Sequence, residues 1–473
     1  MLKRRKFFQT VAASLVSNTV IQKIRQVKSS SLLKSSNNNL ANSISEDLES
    51  INAEIIVDWS TVIAQTTPLI FSSNDYEITS PQKAADSIFQ NLLTELDIPL
   101  IRVHHALLSE RWTDSTAKSW DEAKIQACYD ASYFHNPKIV QNIPRWPSWM
   151  KLDSNSLLDS SEYDNYANFC GELVRILNQT QNRQIIYWEP FNELDTRYKN
   201  AGQLNELWKI YNKVTERMKN VDPQIKVGGP VLTWDDSQTL NHFLDSCSQN
   251  VDFISWHRYA SGNANAPTDK IMSFTPKYGD QTRRFRSIVT RHIPERKVPL
   301  FLSEYNINYS WDSGETRQNT HVGAVWFASV FKHLAEAEID MAASWHLKDG
   351  IYGMIDPQNN LRPSARIFAL AIKYLTGNVI QNESDRPFIE ALPVQQQTGD
   401  RSLLLINKLS EYANINLTEM YGSFQTGETI IHSLDANGIE VFDADEQTNL
   451  NTFTLSPYSI LLLRSSQPVY YSD

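Results

Sequence analysis

Two glutamates end apolar runs in this chain: Glu193 in YWEPFNELD (187–195) and Glu304 in PLFLSE (299–304). A pair of carboxyl groups on either side of one bond is the equipment for glycoside hydrolysis. One protonates the leaving oxygen while the other, roughly 5–5.5 Å away, attacks the anomeric carbon and forms a covalent intermediate. The first then serves as base for water. The two roles demand different environments, because the acid must be raised by burial or by its anionic neighbour while the nucleophile is kept ionised by donors. Arg102 and Tyr259 are the candidate donors.

Other polar and aromatic residues end apolar runs in the same way. His104 and His105 follow Arg102, and their adjacency means that one faces the site while the other faces the packing. His257 lies two residues before Tyr259, so both can point into one cleft, and Asn306, Trp345 and His346 close two further runs. Trp146 and Trp149 sit in PRWPSWM, a proline-rich loop that cannot be helical, where an indole suits stacking on a sugar face. Trp146 is the stronger candidate substrate contact of the two, and Trp234 and Trp311 are further ones. No His-x-x-x-His or similar ligand spacing occurs, so neither a metal nor a cofactor is expected.

These residues need a scaffold that brings distant strand ends together. Eight short apolar runs occur between residues 68 and 346, at 68–73, 99–105, 138–143, 184–191, 225–230, 252–257, 299–304 and 339–346. Between them lie stretches with apolar residues at spacings of three and four, such as LNELWKIYNKVTERMKNVD, the pattern of amphipathic helices. Eight strand-then-helix units predict an α/β fold, a (β/α)8 TIM barrel over 68–376 with its site at the C-terminal ends of the strands. Strands four and seven then face each other across the ring, which places Glu193 opposite Glu304. An open doubly wound sheet fits less well, since the first run is followed by FSSNDYE and not by a glycine-rich phosphate loop. After Thr376 the pattern turns to period two with intervening turns, which predicts an antiparallel β-sandwich over 377–466 joined by the alternating run at 50–66.

The formal net charge of −10 argues against nucleic acid or an anionic membrane as the main partner and suits a neutral carbohydrate. The start, MLKRRKFFQTVAASLVSNTVIQK, has paired Arg4 and Arg5 before a mildly apolar stretch, the pattern of a twin-arginine export signal over residues 1–28. Residues 29–48 are Ser/Asn-rich and read as a linker. Periplasmic or extracellular localisation follows as an expectation, with an uncleaved N-terminal segment as a possible membrane tether. Three widely spaced cysteines, Cys128, Cys170 and Cys247, form no disulfide or zinc pattern and read as small buried apolar residues in helices.

Taken together, Asn192-Glu193 at strand four, Glu304 at strand seven, Arg102 at strand two, His257-x-Tyr259 at strand six and Trp345 at strand eight resemble clan A of the retaining glycoside hydrolases. With DFISWHRY and the C-terminal β-domain, the sequence is most similar to family 39, the family of β-xylosidases and α-L-iduronidase. The resemblance implies Glu193 as acid/base, Glu304 as nucleophile, Asn192 on the sugar 2-hydroxyl and Trp345 under the sugar ring. Within YWEPFNELD it favours Glu193 over Glu189, because Trp188 precedes Glu189 and no amide for the 2-hydroxyl is at hand there. One departure is Leu194, where the family usually has proline. The expected activity is retaining, β-xylosidase-like hydrolysis of oligo- or polysaccharides. Another clan A activity, such as an arabinofuranosidase or β-glucanase, is an alternative, and so is an envelope protein that only binds carbohydrate.

Overall fold

The computed structural model describes residues 50–132 and 138–465; the export signal and linker inferred from the sequence lie outside them. Eight parallel strands close into a barrel: β2 (Ser72–Asp75), β3 (Leu100–Val103), β4 (Lys138–Asn142), β5 (Tyr187–Glu189), β6 (Lys226–Leu232), β7 (Phe253–Ser261), β8 (Leu300–Asn308) and β9 (Met341–Ser344). Each pairs with its sequence neighbour, and β9 returns to β2 through Ala343 opposite Ser72. The fold is a (β/α)8 barrel.

The first barrel strand begins later than its apolar pattern indicates. Pro68–Ile70 is a 3-10 turn capped by the Thr67 side chain, and the strand itself is the polar SSND. It survives full burial because its side chains are satisfied. Asn74 Nδ2 donates to the carbonyls of Ser303, Ala343 and Ser344, and Ser344 Oγ bonds Ser73 Oγ at 3.0 Å.

The outer helices follow the sequence periodicity. Leu204–Val221 buries Leu207, Tyr211, Val214 and Met218, a four-three-four spacing that forms one stripe against the barrel. Ser87–Leu96 starts where the Asp86 side chain accepts the N–H groups of Ile88 and Phe89. The three cysteines are buried thiols in the helices Glu122–Ala131, Tyr163–Val174 and Ser237–Cys247. No helix among the described residues is long and apolar enough to cross a membrane.

A second, separate sheet has nine strands. β1 (Ser50–Thr66) joins β10 (Gly377–Ser384), β11 (Ile389–Gln395), β12 (Arg401–Asn407), β13 (Tyr412–Met420), β14 (Thr429–Asp435), β15 (Gly438–Asp443), β16 (Thr452–Leu455) and β17 (Ser459–Ser465). Its order is β15-β14-β17-β12-β11-β10-β1-β13-β16, antiparallel except where β1 runs parallel to β13. The run LLLI in β12 is apolar throughout because both faces are covered. Leu403 and Leu405 enter the core of this sheet, while Leu404 and Ile406 enter the barrel's core. The barrel helix His321–Glu336 packs on that second face, and it is accordingly buried along nearly its whole length.

Candidate active site

Arg102, at the end of β3 and wholly buried, organises the floor of the site. Its Nε donates to Glu189 Oε2 at 2.6 Å, one terminal nitrogen to Asn74 Oδ1 at 3.0 Å and the other to Asn192 Oδ1 at 2.7 Å. Glu304 Oε2 lies 3.6 Å from the same guanidinium. The sequence singled out Glu304 as the anion for this arginine, but the tighter pair is with Glu189. Glu189 is thus a buried counter-ion at the base of the site, and Asn192, its Oδ1 held by Arg102, lines the cavity.

Glu193 stands above this floor with a side chain 36% exposed, while that of Glu304 is 10% exposed. Its φ of 55° is left-handed, an arrangement a non-glycine residue adopts only when its surroundings impose it. Here the Glu193 N–H donates to Val231 O at 3.2 Å, and Oε1 lies 2.7 Å from His257 Nδ1. Glu304 receives the Tyr259 hydroxyl, and His257 Nδ1 lies 3.7 Å from its other oxygen. One oxygen of Glu193, one of Glu304 and a ring nitrogen of His257 all lie within 4.8 Å of one another. That spacing would also admit a cation, although the Arg102 guanidinium already supplies fixed positive charge beside Glu304.

Electrostatics separates the groups. Burial pushes the Glu304 carboxyl above its ordinary value, His257 opposes this, the charge of Glu193 adds to it, and Arg102 and the Tyr259 hydroxyl pull back. For His257, burial disfavours the imidazolium, but Glu304 and Glu193 outweigh it and hold its pKa above normal. Burial lowers His104 well below normal, with Arg102 adding to the effect, so it is neutral. Asn142 spends its NH2 on Glu189 and on Phe191 O, so its Oδ1 accepts from His104 Nδ1 at 2.8 Å. The Nε2 of His104 is therefore left as an acceptor.

The cavity over these groups measures about 550 Å³ and is lined by His104, Asn192, Glu193, Tyr259, Glu304 and Trp345. Of the residues selected from sequence, Arg102 and His257 lie just beneath it as supports. Trp345 forms one wall, its ring centroid 5.5 Å from His104 and 6.2 Å from Trp311. Trp234, Trp311 and His105 also border the cavity. Trp146 does not. It is a core residue, 6% exposed, with its ring edge-on to Tyr166 and Tyr198. Trp149 packs against Phe169 beside a different surface hollow, and His346 is buried with Nε2 on Asp349. Tyr76, Lys83, Arg111, Thr233 and Tyr309 also line the cavity and were not anticipated, since they stand beyond the strand ends, Lys83 and Arg111 in the short helices Pro81–Ala84 and Leu108–Arg111 and the others in connecting segments. A larger hollow of about 820 Å³ opens at the opposite ends of β4 and β5, but its carboxylate, Asp130, is ion-paired with Arg183. The paired carboxylates are in the smaller cavity.

Residues 156–370 match the family model described as Glycosyl hydrolases family 39, a span that includes Glu193, His257, Tyr259, Glu304 and Trp345. Over that span the chain is similar to glycoside hydrolase family 39. It is 30% identical over 138 residues to a beta-xylosidase of Geobacillus stearothermophilus, covering 26% of each chain. A beta-xylosidase of Caldicellulosiruptor saccharolyticus is 22% identical over 271 residues, covering 52% of this chain and 53% of that one. The chain thus spans about a quarter and about half the length of these curated relatives. Its fold is that of a monomeric beta-xylosidase from Caulobacter crescentus CB15, with TM-score 0.65, 14% identity, and coverage of 88% of this chain and 100% of that one. The departure from the family 39 pattern at Leu194 is a packing matter. Leu194 is 6% exposed at the start of the helix Asp195–Asn200, whose Asp195 accepts both the N–H and the hydroxyl of Thr233.

Proposed function

We propose that the chain is a retaining glycosidase of β-xylosidase type, hydrolysing oligo- or polysaccharides by double displacement. The observation that carries this reading is the pair of carboxylates with one oxygen of each within 4.8 Å of the other, which fits a retaining pair, roughly 5–5.5 Å apart, better than an inverting pair, roughly 6.5–9.5 Å apart. Glu304, with the Tyr259 hydroxyl as donor and the Arg102 guanidinium 3.6 Å away, is the nucleophile. Its carboxylate bonds to the anomeric carbon as Glu193 delivers a proton to the departing oxygen. Glu193, now ionised, removes a proton from water, whose oxygen takes the anomeric carbon and frees Glu304. His257, bonded to Glu193 and near Glu304, holds the acid in reach, and the Asn192 amide is placed for the 2-hydroxyl.

Export by the twin-arginine-like start, with action outside the cytoplasm, accompanies this reading. The test is nitrophenol release from β-xyloside, β-glucoside, β-galactoside and α-arabinofuranoside, comparing the wild-type chain with Glu304→Ala. Release by wild type alone supports the nucleophile and names the sugar. Equal release by both proteins removes Glu304 from that role.

A further inference from the structure

Facing Trp234 across the barrel, the cavity has a wall of different character. Tyr76 and Lys83 follow β2, and His105 and Arg111 follow β3, and all four line the cavity. Among the described residues Arg111 has no ion-pair partner; one terminal nitrogen donates to Thr79 Oγ1 at 2.9 Å, and the remaining donors of the fork are left over. Lys83 Nζ is 2.7 Å from Glu77 Oε1 but its side chain is 50% exposed, and it lies 5.6 Å from the Tyr76 ring centre. His105 Nδ1 accepts the Leu107 N–H at 2.9 Å, so the neutral ring carries its proton on Nε2 and is a further donor. Burial, then Arg111 and Lys83, hold its pKa down to about 4, which keeps it neutral and records how close both cations stand.

Among the described residues the acids around Arg111 are engaged elsewhere, Glu110 with Arg145 at 3.8 Å. Asp75 is buried and turned onto the Glu77 N–H at 2.7 Å, and burial pushes its pKa up to about 7. Asp349 accepts from His346 and from the N–H groups of Ile351, Tyr352 and Gly353. Glu77 serves Lys83. Asp349, Glu77 and Asp75 also stand close to Tyr76, so the positive charge this wall offers a ligand is that of the unpaired Arg111 and the half-exposed Lys83.

We propose that Lys83, His105 and Arg111 form an anion-selecting subsite, which takes a carboxylate or sulfate ester on the glycan unit seated on the Trp345 side of the cleaved bond. The placement follows from contacts. Tyr76 is 6.3 Å from the Trp345 ring and 5.7 Å from His105, whereas Glu193, which serves the leaving group, stands at the other side beside Thr233 and Trp234. Arg111 offers a planar fork to a carboxylate or sulfate, and Lys83 a mobile point charge. The inference rests on the glycosidase reading of this cavity and narrows it to acidic glycans.

The experiment titrates the full chain carrying Glu304→Ala, which removes turnover, with matched pairs by calorimetry: xylose against glucuronate, galactose against galacturonate, and xylose and galactose against their O-sulfates. The same pairs are then run on Glu304→Ala combined with Arg111→Gln, and with Lys83→Gln plus Arg111→Gln. The expected result is an anionic member bound about tenfold more tightly than its neutral partner at low salt, with that ratio falling toward one in the variants and in high salt. Whether the carboxylates or the sulfates carry the gain names the source. No gain for any acidic member, or a gain that survives both substitutions, overturns the subsite. Hydrolysis of neutral β-xyloside without an acidic preference removes this inference alone. An acidic preference with no hydrolysis of any glycoside removes the glycosidase reading and leaves the subsite.

Discussion

Arg102 joins Glu189, at 2.6 Å, to Glu304, at 3.6 Å, so one buried guanidinium is shared between a structural carboxylate and the proposed nucleophile. Replacing Glu189 with Gln keeps the shape and removes the charge. The outcome expected is a stability loss of about 3–5 kcal/mol, since half of a buried pair is left. Activity should fall by a similar factor on substrates with good and poor leaving groups, because Glu189 touches neither the sugar nor the leaving oxygen. Chemical denaturation and a leaving-group series check this. A Glu189→Gln defect confined to poor leaving groups would mean that the acid had been misassigned.

Glu193→Gln should behave in the opposite way. Loss of the acid costs on the order of 10²–10⁴ in rate where the leaving group needs a proton, and much less for activated aryl glycosides. Stability should change little, since the Glu193 side chain is partly exposed. Steady-state kinetics on a nitrophenyl glycoside and on the matching oligosaccharide decide the matter, and an equal loss on both excludes general acid catalysis by Glu193.

The pH dependence follows from the neighbours of Glu304. Its carboxyl sits above its ordinary value of 4.5 through burial, opposed by His257 and reinforced by Glu193. A nucleophile must be ionised, so kcat/KM should fall as pH drops through this raised value, with the acid limb above 4.5. Glu193→Gln removes a negative neighbour, makes ionisation of Glu304 easier and moves that limb to lower pH. The profile is read on an activated aryl glycoside, where proton delivery is not limiting. An acid limb that stays in place or moves upward contradicts the assignment.

Trp146 and Trp345 show what the sequence reveals and what it hides. Both follow apolar runs at strand ends, and nothing in PRWPSWM distinguishes an indole that stacks on sugar from one that turns inward between Tyr166 and Tyr198. Strand order, by contrast, was legible, because parallel strands buried on both faces leave continuous apolar runs. The runs gave both glutamates, His257 and Tyr259 their places around the ring. The polar strand SSND escaped that logic, its burial depending on hydrogen bonds from strands far along the chain. Lys83 and Arg111 escaped it too, since they sit in the one-turn helices Pro81–Ala84 and Leu108–Arg111 beyond the strand ends, where a lone cation is ordinarily solvated. Trp146→Ala should lower stability by about 3–5 kcal/mol with KM unchanged. Trp345→Ala should raise KM or lower kcat/KM at a smaller cost in stability. Thermal unfolding and Michaelis kinetics on the two variants separate the roles, and a KM effect at Trp146 without destabilisation would restore it to the site.

The junction of barrel and sheet has its own ionic centre. Glu390 on β11 accepts from Lys408 Nζ at 2.5 Å and Ser329 Oγ at 2.5 Å, with His333 Nε2 at 2.9 Å. Burial opposes its ionisation, but Lys408 and His333 outweigh it and hold the carboxyl far below its ordinary 4.5. A carboxyl depressed on folding stabilises above its unfolded pKa, and that contribution is lost as pH falls below about 4.5 toward the folded value. Glu390→Gln leaves Lys408 buried without its anion and should cost about 3–5 kcal/mol at neutral pH. The gap between the two proteins should narrow steadily as acid protonates Glu390 in the unfolded wild-type chain. Urea unfolding of both proteins from pH 7 to pH 3 measures that gap, and a gap that does not change with pH would show that the carboxylate charge is not what holds this junction.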